Sequence, residues 1–219
     1  MKTDRSSNIM VFIKKLGRSI FTTHDLITLS GKSASTIVQS LNRLAQQGLL
    51  VKIYRGVWAE LGAKPFSVFE TIPFLFPRHR VYISFITALH LHGIVEQIPQ
   101  VITLASPSHS RTIRTHVGVF SVHQIAPAFF AGFDWYKKDE NFLVAEPEKA
   151  LIDSLYISSR RKKQFGHFPE LNFPPTFSFK TAAQWVERIP EQKIRLYVFQ
   201  KLNTLKEQTA KEKTHALQS

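Results

Sequence analysis

The sequence has no cysteine, which excludes disulfides, thiolate nucleophiles and cysteine-ligated zinc together. That fits a reducing compartment. No apolar run reaches the eighteen or so residues that a membrane-spanning helix needs. The opening stretch, MKTDRSSNIMVFIKKLG, lacks a sustained hydrophobic region and a small-residue cleavage site. The expectation is a cytoplasmic protein with no membrane partner. Acidic residues are also scarce: 16 Asp and Glu stand against 29 Lys and Arg, a formal charge of +13. Such an excess favours a polyanionic partner, because Lys and Arg release condensed counterions from phosphates. What is plentiful is apolar material, 43% of the chain with 18 phenylalanines, enough for ordinary buried cores.

Three regions follow from pattern, with a short tail behind them. Residues 1–60 read as a helical module closed by a hairpin, and 61–80 as a connector with three prolines and interleaved phenylalanines. Residues 81–205 mix strands and helices, and the polar end, 206–219, reads as a flexible tail. In the first region Asn8 can cap a helix over 9–16, and Thr22 or Thr23 a second over 24–29. Ser33 can cap a third over 34–47, stopped at Gly48. Strands over 49–54 and 57–60 then flank Arg55-Gly56. This order predicts a winged helix-turn-helix, followed by a mixed α+β domain, so the fold class is α+β. In the second domain, strands are expected at 81–83, 101–105, within 112–125 and at 142–145. Helices are expected over 85–92 after Ser84, from Pro147 to 158, over 182–189 after Thr181, and over 193–205. Pattern alone does not yield the strand order.

The third helix carries the functional reading. Steps of about 100° per residue put Ala34, Ile37, Val38, Leu41, Leu44 and Ala45 on one face. The opposite face shows Ser35, Thr36, Gln39, Arg43 and Gln46, flanked by Ser40 and Asn42. An ordinary surface helix interleaves Glu with Lys; this one has no carboxylate. An all-polar, acid-free face after a capped turn suits the DNA major groove, where such side chains read base edges and phosphates. The helix start favours a phosphate near Lys32 and Ser33. Lys52 and Arg55, on or beside the glycine turn, either lie along a neighbouring groove or are solvated cations over a hairpin that covers the core. With nine Lys/Arg against three Asp/Glu, residues 1–60 are basic in their own right. The partner so implied is double-stranded DNA.

Other constellations give less. Gly31-Lys32-Ser33 invites a phosphate-loop reading, but Leu26 stands where that motif needs glycine and no apolar strand precedes it. Glu146, Glu148, Lys149 and Asp153 suggest a metal-dependent nuclease, yet Pro147 occupies the place of an acid. Lys149 and Asp153 have the i, i+4 spacing of a helical salt bridge, and the two glutamates suit a helix N-terminus. Nine histidines invite a metal. His90 and His92 fall on different sides of a helix, and His116 and His123 on opposite faces if one strand contains both. No metal and no cofactor are expected. Arg160, Arg161, Lys162 and Lys163 either complement a helix C-terminus or form a second basic patch facing DNA or another partner.

The order FTTHDLITLSGKSASTIVQSLNRLAQQGLLVKIYRGVWA resembles the N-terminal winged helix of the AbiEi family of antitoxins and regulators in type IV toxin–antitoxin systems. The matching features are Leu41-x-x-Leu44 running into Gln47-Gly48-Leu49-Leu50, and then Tyr54-Arg55-Gly56-Val57-Trp58. Further on, Tyr82-Ile83-Ser84, Ala88-Leu89, Gly93 and Gln97-Ile98-Pro99 look like the entry to that family's C-terminal domain. The run Ala145-Glu146-Pro147-Glu148-Lys149-Ala150-Leu151-Ile152-Asp153 is similar to its later helix start. The resemblance implies a repressor that binds inverted repeats upstream of its own operon. It also implies a C-terminal domain that opposes a nucleotidyltransferase-like toxin, and a protein that is not an enzyme. The alternatives are a nuclease or nucleotidyltransferase delivered by a DNA-binding module, and a basic RNA-binding protein. Neither finds its motif here.

Overall fold

The computed structural model describes residues 5–62, 65–137, 141–159 and 169–216. Two compact units divide the chain: Met1–Arg78 with Arg114–Gly118, and His79–Ile113 with Val119–Ser219. The stretch read as a connector thus belongs, up to Arg78, to the first unit.

The first unit runs α1 (Arg5–Leu16), β1 (Ile20–Thr22), α2 (Thr23–Ser30), α3 (Ala34–Gln46), β2 (Leu50–Tyr54) and β3 (Val57–Glu60). Helix α1 begins at Arg5, so Asn8 lies inside it and is not its cap. Strand β1 is an addition to the expected elements. It is only Ile-Phe-Thr, too short for alternation to show, and it pairs antiparallel with β3 to give the order β1-β3-β2. Of the two threonines considered, Thr22 caps α2. Its hydroxyl accepts from the Asp25 N–H at 3.1 Å, while the Asp25 carboxylate accepts from the Thr22 N–H at 2.7 Å. Gly31, at φ 65°, ends α2 in the left-handed conformation that glycine adopts without steric cost. Ser33 then caps α3 through the Thr36 N–H at 3.3 Å.

Alternation along the short sheet gives it two apolar faces. Phe21, Leu50 and Trp58 join Ile9, Ile13, Leu26, Ile37, Leu41 and Leu44 in one core with the three helices. Ile20, Ile53, Val57 and Ala59 face the other way, where Phe66, Phe74 and Val117 cover them. Phe66 and Phe74 of the 61–80 stretch therefore pack on the back of the wing-like hairpin. That stretch is also partly helical, with a 3₁₀ turn (Val68–Thr71) and α4 (Ile72–Leu75). The His116 N–H, in Arg114–Gly118, donates to the Ile53 carbonyl at 3.1 Å.

The second unit holds β4 (Tyr82–Ile83), α5 (Phe85–Leu91), β5 (Val101–Ser106), β6 (Arg111–Arg114, all but its last residue) and β7 (Val119–Gln124). It continues with β8 (Phe133–Trp135), β9 (Leu143–Ala145), α6 (Pro147–Ser158), α7 (Phe179–Glu187) and α8 (Gln192–Ala216). Its mixed sheet has the order β6-β7-β5-β4-β9-β8. Pairs β4–β5 and β8–β9 are antiparallel; β4–β9 and β5–β7 are parallel. Three elements differ from expectation. Strand β8, three residues with a central Asp134, was not legible as a strand. Helix α7 is capped by Ser178, whose hydroxyl accepts from the Thr181 N–H at 3.1 Å, so Thr181 sits inside the first turn. Helix α8 continues to Ala216, through the segment expected to be a flexible tail. Its Lys, Glu, Gln and Ala residues are good helix formers, so a polar composition does not by itself end a helix. Arg160, Arg161, Lys162 and Lys163 lie outside the described residues.

The cap of α2 makes a pH-dependent prediction. Burial by itself would raise the Asp25 carboxyl, but the Thr22 backbone and hydroxyl and the Arg18 guanidinium, 2.6 Å away, outweigh it. The folded carboxyl therefore lies below its ordinary 3.8. A depressed carboxyl contributes stability above its unfolded value, and that contribution is lost as pH falls through the folded one. Hydrogen exchange in α2 should accelerate as pH falls below 3.8, beyond the intrinsic pH trend. Asp25→Ala should destabilise the cap by about 1 kcal/mol near neutrality and flatten that acid response.

Candidate nucleic-acid interface

The capped turn and the apolar side of α3 determine which residues the helix turns outward. Ile37, Ser40, Leu41 and Leu44 are buried. Ser35, Val38, Gln39, Asn42, Arg43 and Gln46 are exposed, and Thr36 is half-buried. The buried arc is thus rotated from the expected stripe, toward Ser40 and away from Ala34 and Val38. Ala34 is exposed, Val38 is 39% exposed, and Ala45 only flanks the core. The rotation is possible because the Ser40 hydroxyl donates to the Thr36 carbonyl at 3.0 Å, so the serine enters the core with its polar atom satisfied. Sequence periodicity, which ranks serine as polar, could not foresee this.

At the start of α3 the hydroxyls are close together. Ser33 Oγ lies 3.0 Å from Ser35 Oγ and 2.9 Å from Thr36 Oγ1. Lys32, half-buried, holds its ammonium 6.0 Å from the centre of the Phe12 ring. Ser33, Ser35, Gln39 and Arg43 therefore share one exposed surface with Asn42 and Gln46, whereas Lys32 and Thr36 lie at its edge. On the hairpin, Lys52 and Arg55 are both exposed, and the Lys52 ammonium sits 5.4 Å over the Trp58 ring. The hairpin tip is held to α2 twice: the Thr23 N–H donates to the Gly56 carbonyl at 2.8 Å, and Trp58 Nε1 donates to the Thr23 hydroxyl at 3.0 Å.

The charges sort in the same direction. Glu60 is paired with Lys14 at 2.5 Å and Asp25 with Arg18 at 2.6 Å. Both carboxylates within residues 5–62 are therefore neutralised at α1 and the segment after it. The polar part of the exposed side of α3 carries hydroxyls, amides and the Arg43 guanidinium, and the helix itself has no carboxylate.

The acids and lysine around Pro147 occupy a different environment in the second unit. Tyr82, Ser84, Lys149 and Asp153 are each 0% exposed. The Asp153 carboxylate pairs with the Lys149 ammonium and accepts from the Ser84 hydroxyl at 2.7 Å and the Tyr82 hydroxyl at 2.9 Å. The ammonium also donates to the Tyr82 oxygen at 3.1 Å and lies 3.8 Å from the Phe129 ring centre. Burial pulls the Lys149 amine below its ordinary value, opposed by Asp153, while burial and Asp153 push the Tyr82 phenol well up. Ser84, expected to cap α5 with its side chain, is the N-cap by position but gives its hydroxyl to Asp153. Glu148 is buried too, its carboxylate accepting from the Ser178 N–H at 2.8 Å. The expected Lys149–Asp153 bridge is present, but as a closed core cluster without access for a substrate. One signal for this was available: Ala150, Leu151, Ile152, Leu155, Tyr156 and Ile157 leave α6 little polar face for an ion pair to occupy.

Three of the described histidines each have a partner of their own. His90 Nδ1 lies 3.0 Å from the Val95 carbonyl, His92 Nε2 2.7 Å from the Ala145 carbonyl, and His123 Nε2 3.1 Å from the Ser121 hydroxyl. His116 lies outside any strand, so it and His123 do not share one. Among the described residues no three His, Asp or Glu side chains gather as a metal would need. No described helix is long and apolar enough to cross a membrane.

With this geometry in place, residues 13–60 match a family model described as transcriptional regulator, AbiEi antitoxin. The matched stretch is less than a quarter of the 219-residue chain, and it takes in the last turn of α1 and all of β1, α2, α3 and the hairpin. It supports a regulator and antitoxin role. No curated protein matches the chain.

The buried cluster yields a stability prediction. Asp153→Ala should cost about 3–5 kcal/mol, because it leaves the Lys149 ammonium in the core without a counter-charge. Lys149→Met combined with Asp153→Leu should recover a large part of that loss. Urea unfolding of the three proteins measures both, and equal stability of the single variant and the parent would contradict the ionic account.

Proposed function

Taking residues 13–60 as a domain of the AbiEi antitoxin family of transcriptional regulators, we propose that this chain binds double-stranded DNA through the outward side of α3 and represses its own operon. The observation that carries this reading is the acid-free exposed surface of Ser35, Gln39, Asn42, Arg43 and Gln46, with Asp25 and Glu60 already neutralised by Arg18 and Lys14. Gln39 and Arg43 read base edges in the major groove. Ser33 and Ser35 hold a phosphate at the helix start, with Lys32 and Thr36 at the margin. Lys52 and Arg55 contact the flanking backbone from the hairpin. The target is an inverted repeat, one half-site for each copy of the chain. The second unit acts as the antitoxin and opposes a nucleotidyltransferase-like toxin; the family description and the motif at Pro147 support this half. The closed cluster around Asp153 favours a framework over a nuclease centre, because its acid and amine are out of solvent reach.

Footprinting and anisotropy on the DNA upstream of the chain's own gene test the reading. Gln39→Ala and Arg43→Ala should each cost roughly tenfold in affinity, and together they should erase the preference for that sequence. Removing the charges of Lys52 and Arg55 should weaken all duplexes alike and reduce the slope of log K against log salt by about one for each residue. Protection of the same bases by the Gln39→Ala, Arg43→Ala protein would show that α3 is not the reading element. For the antitoxin half, coexpression with a neighbouring nucleotidyltransferase should restore growth, and this rescue should survive the α3 double variant.

A further inference from the structure

We propose that Val38 is a specificity-determining residue which reads the C5 methyl group of a thymine in the major groove. The inference rests on the DNA-binding reading above and adds to it a contact made without a hydrogen bond. Val38 is 39% exposed, while its neighbour Ile37 and the next-turn residues Leu41 and Leu44 are at 0–2%. Core packing therefore does not account for a large apolar side chain at this position. On a helix, residues three before and four after lie on the same side. Val38 is thus set between Ser35 and Asn42, next to Gln39, and all three are exposed. It is the one large apolar side chain on the exposed side of α3. It also stands in the second turn after the Ser33 cap, in the N-terminal half that recognition helices direct at the bases.

The chemistry of the residue fits the role. A β-branched side chain is stiff about its first torsion on a helix, so its two methyl groups are held in place before any ligand arrives. In the major groove, the thymine methyl is the apolar mark that distinguishes T from C, and aliphatic side chains recognise it. The hydroxyl and amide groups beside Val38 read hydrogen-bonding edges. They cannot detect a methyl group. An isopropyl group among them supplies that discrimination.

The experiment uses the full chain and a duplex selected by it from a random-sequence pool. Each thymine of the selected site is replaced singly by deoxyuridine, which removes the methyl and leaves base pairing intact. For the parent protein, one thymine per half-site should show a loss of roughly fourfold, the size expected for one buried methyl-sized group. Val38→Ala should bind the all-thymine site more weakly and be indifferent to deoxyuridine at that position. Its melting curve and oligomeric state should match the parent's. A parent protein that ignores every methyl, or a Val38→Ala protein with the parent's thymine-to-deoxyuridine ratios, overturns the assignment while leaving DNA binding in place. A change in oligomeric state with unchanged ratios reassigns Val38 to packing between copies and overturns it as well. A pool that yields no enriched sequence removes the DNA-binding reading itself.

Discussion

The Trp58 indole is buried in the core shared with the three helices, yet it carries an N–H that cannot be left unpaired there. The Thr23 hydroxyl satisfies it, and the Thr23 N–H in turn donates to the Gly56 carbonyl at the hairpin tip. One aromatic ring and two hydrogen bonds therefore hold the hairpin against the first residue of α2. Gly31 and the Ser33 cap leave little freedom between α2 and α3. The surface that α3 turns outward follows from this chain of constraints. Lys52 gains its position in the same way, with its ammonium above the ring of the same tryptophan.

The second unit obeys the same requirement more severely, because the group to be satisfied is charged. Asp153 is fully buried on α6, and it collects the ammonium of its own helix and two hydroxyls from β4 and the residue after it. Strand, helix start and helix are tied through one carboxylate. At the first residue of α5 the backbone turns sharply: Phe85 is a non-glycine residue at φ 58°, a conformation that L-residues adopt at a cost. Its wholly buried ring, edge-on to His123 at 5.1 Å, helps to offset that cost. A linked set of hydroxyls continues the network: the Thr103 hydroxyl donates to the Ser84 carbonyl at 2.8 Å and lies 3.0 Å from the Thr87 hydroxyl.

Elements with strong local signals were legible in the chain. Thr22, Ser33, Gly31 and Pro147 mark helix ends because they satisfy or relieve backbone groups locally, and β3 and α6 fall at the expected residues. Elements stabilised by distant partners were not. Strands β1 and β8 have three residues each, and they exist as strands because β3 and β9 supply their hydrogen bonds. Ser178 and Thr181 both qualify as caps by composition; the backbone path before α7 decides between them. The outward face of α3 was legible in its chemistry but not in its centre. Ser40 and Val38 exchange the environments that polarity assigns to them.

Sequence alone determined the basic charge, the absence of thiol chemistry, the helix order with its closing hairpin, and the i, i+4 spacing of Lys149 and Asp153. Each is a local or compositional property, written in side-chain type and short periods. Tertiary structure decided the rest. It decided which arc of α3 meets solvent, because a serine can enter a core once a carbonyl one turn away accepts its hydrogen bond. It decided that Lys149 and Asp153 lie in the interior, because Tyr82 and Ser84 come from some seventy residues away to complete the polar contacts of the carboxylate. It also set the six-strand order, since pairing between strands far apart in the chain depends on backbone hydrogen bonds that side-chain pattern does not specify.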